Sequence, residues 1–275
     1  MKLVRVLSRI NMRPWAIEPA GQAAIAQLLK NKMARADSDE IPDLSEYANE
    51  RKPMWIDGNG IAHIHIEGVM AKGISRLEAI CGGYDLDWLE SDLNEANEAG
   101  VKGCWIEFDT PGGSCEGLAE CADMISEMAR RIPVVAWTDQ TIASAGYFLA
   151  SSCTKIYASQ SSMVGSIGVI IGWIDSSEQW SSQGMSWEPV VSGPLKGAGM
   201  GPSLTEAQRE SLQRLVDDSY ALFKKNILKH RRVPNEAMQG ELYLASRAAS
   251  YNLVDSATLT EQQAFDKLVS LCSSL

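Results

Sequence analysis

Apolar residues recur at helical spacing in the middle of the chain. Leu86, Leu89, Leu93 and Ala96 share one face and predict a helix over 85–99, and a second helix is predicted from about 116 to 130. Around them stand short apolar runs of strand length, at 103–108, 133–137, 156–158, 167–171 and 187–191. Residues 55–66 read as a hairpin closed at Asp57-Gly58 or Asn59-Gly60. The small-residue segment 143–146 opens a short helix through Ala150, and a capping box, Ser203-x-x-Glu206, opens a long one ending near His230. Strands alternating with helices predict an α/β fold, a mainly parallel sheet flanked by helices on both faces. The start of the chain differs. A helical pattern over 18–33 leads into the polar, acidic stretch 35–43, which predicts an N-terminal helical arm and linker over 1–53 ahead of one domain over 54–275.

Composition removes several functions. The 275 residues carry 25 Lys+Arg against 35 Asp+Glu, a formal charge of -10, which argues against a nucleic-acid partner. The one basic cluster, within 224–232, fits the solvated end of a helix. Six cysteines without a CxxC pair read as reduced thiols in a cytoplasmic protein rather than a disulfide or zinc framework. HExxH, P-loop and GxGxxG patterns are missing, so neither a metal nor another cofactor is expected. No run of 18 apolar residues occurs and residues 1–10 make a poor signal peptide, so neither a membrane span nor secretion is expected.

The histidines offer little to a hydrolase. His63 and His65 share one face of a strand, and His230 lies in the basic cluster. Three loops that follow strands are unusually rich in small residues, and in open α/β sheets such loops build the site. Asp109-Thr110-Pro111-Gly112-Gly113 is either a plain turn or a backbone free to aim N–H groups at an oxyanion. In Thr141-Ile142-Ala143-Ser144-Ala145-Gly146-Tyr147, Ser144 is either a helix N-cap or a nucleophile at a helix start. In the glycine-rich stretch 191–199, Lys196 is either an exposed loop residue or a general base standing in for histidine. A lysine of ordinary pKa, about 10.4, is neutral in only about one molecule in 2,500 at pH 7. A base therefore needs a site that disfavours its charged form by about 4 kcal/mol, through burial away from carboxylates. Ser152-Cys153-Thr154-Lys155 matches the SxxK pattern of penicillin-binding enzymes, but its companion elements are absent.

Taken in order, Asp109-Thr110-Pro111-Gly112-Gly113, Ala143-Ser144-Ala145-Gly146-Tyr147, Val164-Gly165-Ser166-Ile167-Gly168-Val169 and Ser192-Gly193-Pro194-Leu195-Lys196 resemble the signal peptide peptidase A-like Ser/Lys proteases. Near the C-terminus, residues 244–249 and 252–255 resemble the family's closing segment, with Asn252 where a glycine is usual. The likeness is greatest to the bacteriophage branch, the head-maturation or capsid-assembly proteases, and includes Trp15-Ala16-Ile17-Glu18-Pro19. The resemblance implies a ClpP/crotonase-like superhelical fold and a serine endopeptidase. Ser144 would attack, Lys196 would move the proton, and Ser166 would orient Lys196. The backbone N–H groups of Gly113 and Ala145 would form the oxyanion hole. It also implies a homo-oligomer, and as substrates scaffold, capsid or portal proteins in the host cytoplasm or procapsid. Three other readings stay open: a bacterial cytosolic peptidase, a non-catalytic ring-forming assembly protein, and a crotonase-like acyl-CoA enzyme.

Overall fold

The computed structural model describes residues 13–18, 51–80, 82–172, 175, 177–186, 188, 190–198 and 204–274. The predicted arm helix, apart from Glu18, and the acidic stretch 35–43 lie outside the described residues, as does Ser203. In chain order the elements are β1 (Trp15–Ile17), β2 (Trp55–Ile56), β3 (Ile61–Glu67), β4 (Val69–Ala71), α1 (Arg76–Ile80), β5 (Gly83–Asp85), α2 (Leu86–Glu98), β6 (Gly103–Asp109) and β7 (Gly112–Ser114). There follow α3 (Leu118–Ala129), β8 (Val134–Thr138), β9 (Thr141–Ala143), α4 (Ala145–Ala150), β10 (Lys155–Ala158), β11 (Met163–Gly165) and α5 (Ser177–Ser182). The chain closes with α6 (Glu206–His230), a 3-10 turn (Asn235–Met238), β12 (Leu242–Leu244), α7 (Ala245–Ser250) and α8 (Glu261–Ser273).

The largest sheet has the order β10-β8-β6-β3-β2, parallel except for the edge strand β2. Two smaller sheets, β1-β7-β4-β5 and β12-β11-β9, continue the wall beyond the carboxyl ends of β3, β6 and β8. The architecture is thus α/β, with mixed, mostly parallel sheets flanked by helices, as the alternation of patterns predicts. Period-2 alternation splits the large sheet between two cores. Ile64, Ile66, Ile106, Phe108 and Ala136 join the core under α2, α3 and α4. Ile61, Trp105, Val135, Trp137 and Tyr157 face α8, which seals them with Ala264 and Leu268. Gly103 lets α8 pack close, because a Cβ on it would lie 2.6 Å from Cys272 Sγ and 3.2 Å from Leu268 Cδ1. His63 sits on the α8 face, its ring stacked 4.0 Å from Trp55, and His65 bonds Glu107 at 2.8 Å.

Several local expectations shift for physical reasons. The hairpin turn is set by Asp57, whose carboxylate accepts from Asn59 N (2.8 Å) and Ile61 N (2.9 Å). The predicted strand over 167–171 does not form. Pairing occurs earlier, over Met163–Gly165, and Ser166 then turns the chain with φ of 52°, leaving Ile170 a single bridge to Trp15. Of the predicted strand over 187–191, residues 188, 190 and 191 are in no strand, and Val190 has no neighbour to bury it (102% exposed). Helix α6 starts from Thr205, two residues beyond the predicted cap, because Thr205 and Gln208 exchange both capping bonds.

Asp255 pins the last segment to the large sheet. Its carboxylate accepts from Lys155 Nζ, Ile156 N and Arg231 Nη2 at 2.9–3.0 Å. Burial by itself would raise its pKa, but the Arg231 charge and these bonds outweigh it and hold the group below the ordinary carboxylate value. A carboxyl with a depressed folded-state pKa stabilises the fold above about pH 3.9 and loses that contribution as pH falls through the folded value. Asp255→Asn should therefore lower Tm at pH 7, and the gap between variant and wild type should narrow below about pH 4 in melts followed by circular dichroism.

Candidate active site

Parallel pairing of β9 with β11 sets Ala143 opposite Gly165. The next residue on each strand is a predicted site residue, Ser144 and Ser166, and the Ser144 N–H donates to Gly165 O at 2.8 Å. Both serines have φ of 52°, and among the described residues the only other non-glycine with positive φ is Asn252. Asn252 has φ of 59°, a region asparagine tolerates. Ser144 has ψ of -113°, outside the left-handed helical basin, so its backbone is strained by about 1–3 kcal/mol. The bond to Gly165, and that from Phe148 N to Ser144 O (2.9 Å), hold it there.

The Ser144 side chain does not cap α4. Its residue is fully buried, and among the described residues the hydroxyl donates only to Gly168 O, at 3.5 Å, the outer limit of a hydrogen bond. Facing it is the Pro-Gly-Gly turn. A Cβ on Gly112 would meet Ala16 O at 2.2 Å, Ser144 Cβ at 2.9 Å and Ile17 Cα at 3.0 Å, and one on Gly113 would meet Met70 O at 2.0 Å. Backbone therefore packs against backbone beside the hydroxyl, as only glycine permits. Gly146 has the same constraint, since its Cβ would lie 2.4 Å from Thr110 Cγ2.

Thr110 is the residue holding the candidate site together that sequence reasoning leaves without a role. Fully buried, it donates its hydroxyl to Gly68 O (2.6 Å) and accepts from Gly112 N (3.1 Å), while its backbone bonds Thr141 O and Ala143 N (3.0 and 3.1 Å). It ties the glycine turn to the strand that presents Ser144. A threonine directly before Pro-Gly-Gly, free to form a hydroxyl-closed turn, is the signal that would have found it. Asp109, just before it, has its pKa raised by burial and by the charges of Glu67, Asp139 and Glu107. Behind Ser144, Tyr147 donates to Leu253 O at 2.9 Å, and Phe148 packs on Phe223 of α6 with centroids 5.2 Å apart.

The structure thus gathers Ser144, Ala145, Ser166 and Gly113. It does not join Lys196 to them by a hydrogen bond. Lys196 is exposed in a run of turns over 192–198, where its backbone N–H bonds Gly193 O at 3.1 Å, and its amine has no hydrogen bond or ion pair among the described residues. No group of three or more His, Cys, Asp or Glu side chains could hold a metal among the described residues. Among them, too, no helix is long and apolar enough to cross a membrane. Next to Ala16 and Phe148 a cavity of about 420 Å³ opens, lined also by Leu118, Val169, Leu222 and Phe223.

A family model described as peptidase family S49 matches residues 126–271. The "Head-tail preconnector protein GP5" of Enterobacteria phage P21 is 27% identical over 66% of this chain and 37% of its own length. The "Putative signal peptide peptidase SppA" of Enterococcus faecium is 31% identical over 84% of this chain and 67% of its own. "Capsid assembly protease C" of Escherichia phage lambda is 29% identical over 62% of this chain. The chain spans 37% and 39% of the lengths of the two phage proteins. Among solved structures, the ClpP catalytic domain of Plasmodium falciparum aligns over 72% of this chain and 86% of its own, at 14% identity and a TM-score of 0.40.

The strain at Ser144 makes a separable prediction. Ser144→Gly relieves a backbone that Ser144→Ala leaves strained. The glycine variant should therefore be the more stable of the two by about 1 kcal/mol, about 2–4 °C in Tm by differential scanning calorimetry.

Proposed function

Because this chain belongs to peptidase family S49, we propose that it is a serine endopeptidase that cuts scaffold, capsid or portal proteins during phage head assembly. One observation carries the chemistry. A buried, backbone-strained serine that caps nothing lies against two glycines whose missing side chains leave room for peptide backbone. In this reading Ser144 Oγ attacks the scissile carbonyl and Lys196 accepts its proton, later passing one to the leaving amine. Ser166 orients the lysine amine. The N–H groups of Gly113 and Ala145 receive the developing oxyanion, each worth about 10²–10³ in rate. The phage setting draws its support from the two phage relatives, whose names refer to head-tail connection and capsid assembly.

Lys196, exposed in this chain, enters this chemistry only if it leaves solvent to reach Ser144. On this reading it does so when copies of the chain assemble. Apolar surface supports such an assembly: Val190, Val191 and Leu195 on the lysine's own segment are exposed, as are Leu215, Leu222 and Leu228 on α6.

Ser144→Ala and Lys196→Ala should each lower cleavage of a scaffold or capsid protein by at least about 10³-fold without loss of fold. Full activity in either variant would remove that residue from the mechanism. Mixing the two inactive variants tests the assembly. Restored cleavage would put the lysine and the serine on different copies, and continued inactivity would keep them on one chain.

A further inference from the structure

The groove beside Ser144 is already filled, and the occupant is the chain's own β1. On one edge β1 runs antiparallel to β7, with Ala16 opposite Gly113. Glu18 N donates to Pro111 O (2.9 Å) and Cys115 N to Pro14 O (3.2 Å), so the facing pairs on either side of Ala16–Gly113 are hydrogen-bonded ones. Alternation along an antiparallel ladder makes Ala16–Gly113 a hydrogen-bonded pair as well. The Gly113 N–H, the group assigned to the oxyanion, is therefore given to the carbonyl of Ala16. On the other edge Trp15 exchanges both backbone bonds with Ile170, at 2.9 Å each. Trp15, Ala16 and Ile17 are 6%, 1% and 5% exposed, so the whole strand is buried in this slot.

The two walls of this slot carry the site. One is the Pro-Gly-Gly turn. The other runs from Ser166 past Gly168, which holds the Ser144 hydroxyl, to Ile170. The same point above Gly112 touches Ala16 O, Ser144 Cβ and Ile17 Cα, so the Ala16–Ile17 peptide lies across the serine. An extended peptide entering a sheet edge binds through this kind of main-chain pairing. Both edges available to such a peptide are taken, and a cavity opens beside Ala16.

Resting on the peptidase reading above, we propose that residues 14–17 are a resident ligand of the substrate groove, a built-in strand that must leave before a protein substrate can bind. With the strand in place, Ser144 donates to Gly168, Gly113 serves Ala16, and Lys196 remains outside. The strand thus holds the site closed, and Arg13, paired with Glu116, fastens its start.

The test uses the full chain and the rate at which a fluorophosphonate labels Ser144. Ala16→Pro removes the N–H that bonds Gly113 O and should raise that rate at least tenfold. Pro14→Cys faces the natural Cys115 in register, where Cα atoms lie about 5.5 Å apart, within disulfide range. The oxidised form should label more slowly than wild type, and dithiothreitol should restore the rate. Equal rates in wild type, Ala16→Pro and the oxidised cysteine variant would overturn the proposal. So would a wild-type product beginning at Ile17 that Ser144→Ala fails to make, since the strand would then be a substrate and not a closure. Amide hydrogen exchange at Gly113 and Ile170 separates the two levels. If exchange accelerates in Ala16→Pro while Ser144 stays unlabelled, the groove has opened on an unreactive serine and it is the peptidase reading that fails.

Discussion

The parallel register of β9 with β11 is the constraint on which the site depends. It sets Ala143 beside Gly165, and both chains turn sharply at the next residue, so two serines emerge side by side at the end of a small sheet. Neither turn is comfortable for a residue with a Cβ. The strain at Ser144 is held by its backbone bonds to Gly165 and Phe148, by Thr110 stitched to both ends of β9, and by α4 locked against α6 and the segment at Leu253. On the proposed peptidase reading, a serine held this way loses little further freedom on binding, which is what preorganisation requires.

The large sheet acts as a foundation. Its two faces are sealed by different helices, and β6 and β8 deliver their carboxyl ends to the turns at Thr110 and Gln140, from which the site is built. Removing bulk at Gly103, Gly112, Gly113 and Gly146 is part of the same plan. At each position main chain or a short side chain comes within 3 Å of where a Cβ would be.

Much of this was legible in the sequence, and unevenly. Helices α2 and α3 follow from their apolar spacing, and β6, β8 and β10 from apolar runs that are buried on both faces. The strand expected over 167–171 fails because apolarity there reflects packing on the core, which buries Ile167 and takes Val169 against it, while pairing is confined to the bridge from Ile170 to Trp15, a distinction periodicity does not carry. The run over 187–191 misleads in the opposite way: Val190 is apolar and fully exposed. Ser144 and Gly113 could be singled out from their small neighbours. For Thr110 only the turn closed onto Gly112 N has a local signal, while the bond to Gly68 O is made across the fold and no local pattern encodes it. Trp15-Ala16-Ile17 stands out in the sequence through the family resemblance, but its seat between Gly113 and Ile170 depends on residues about 100 and about 155 positions away.

The two-edged slot that holds β1 has a consequence for the kind of sequence it can admit. Trp15 offers its N–H to one wall and Ala16 to the other, so any guest strand must supply an amide hydrogen at two successive positions. Proline has none. The slot would then screen polypeptides by main chain before any side chain is read, turning away loops with proline at either place and accepting stretches of quite different composition.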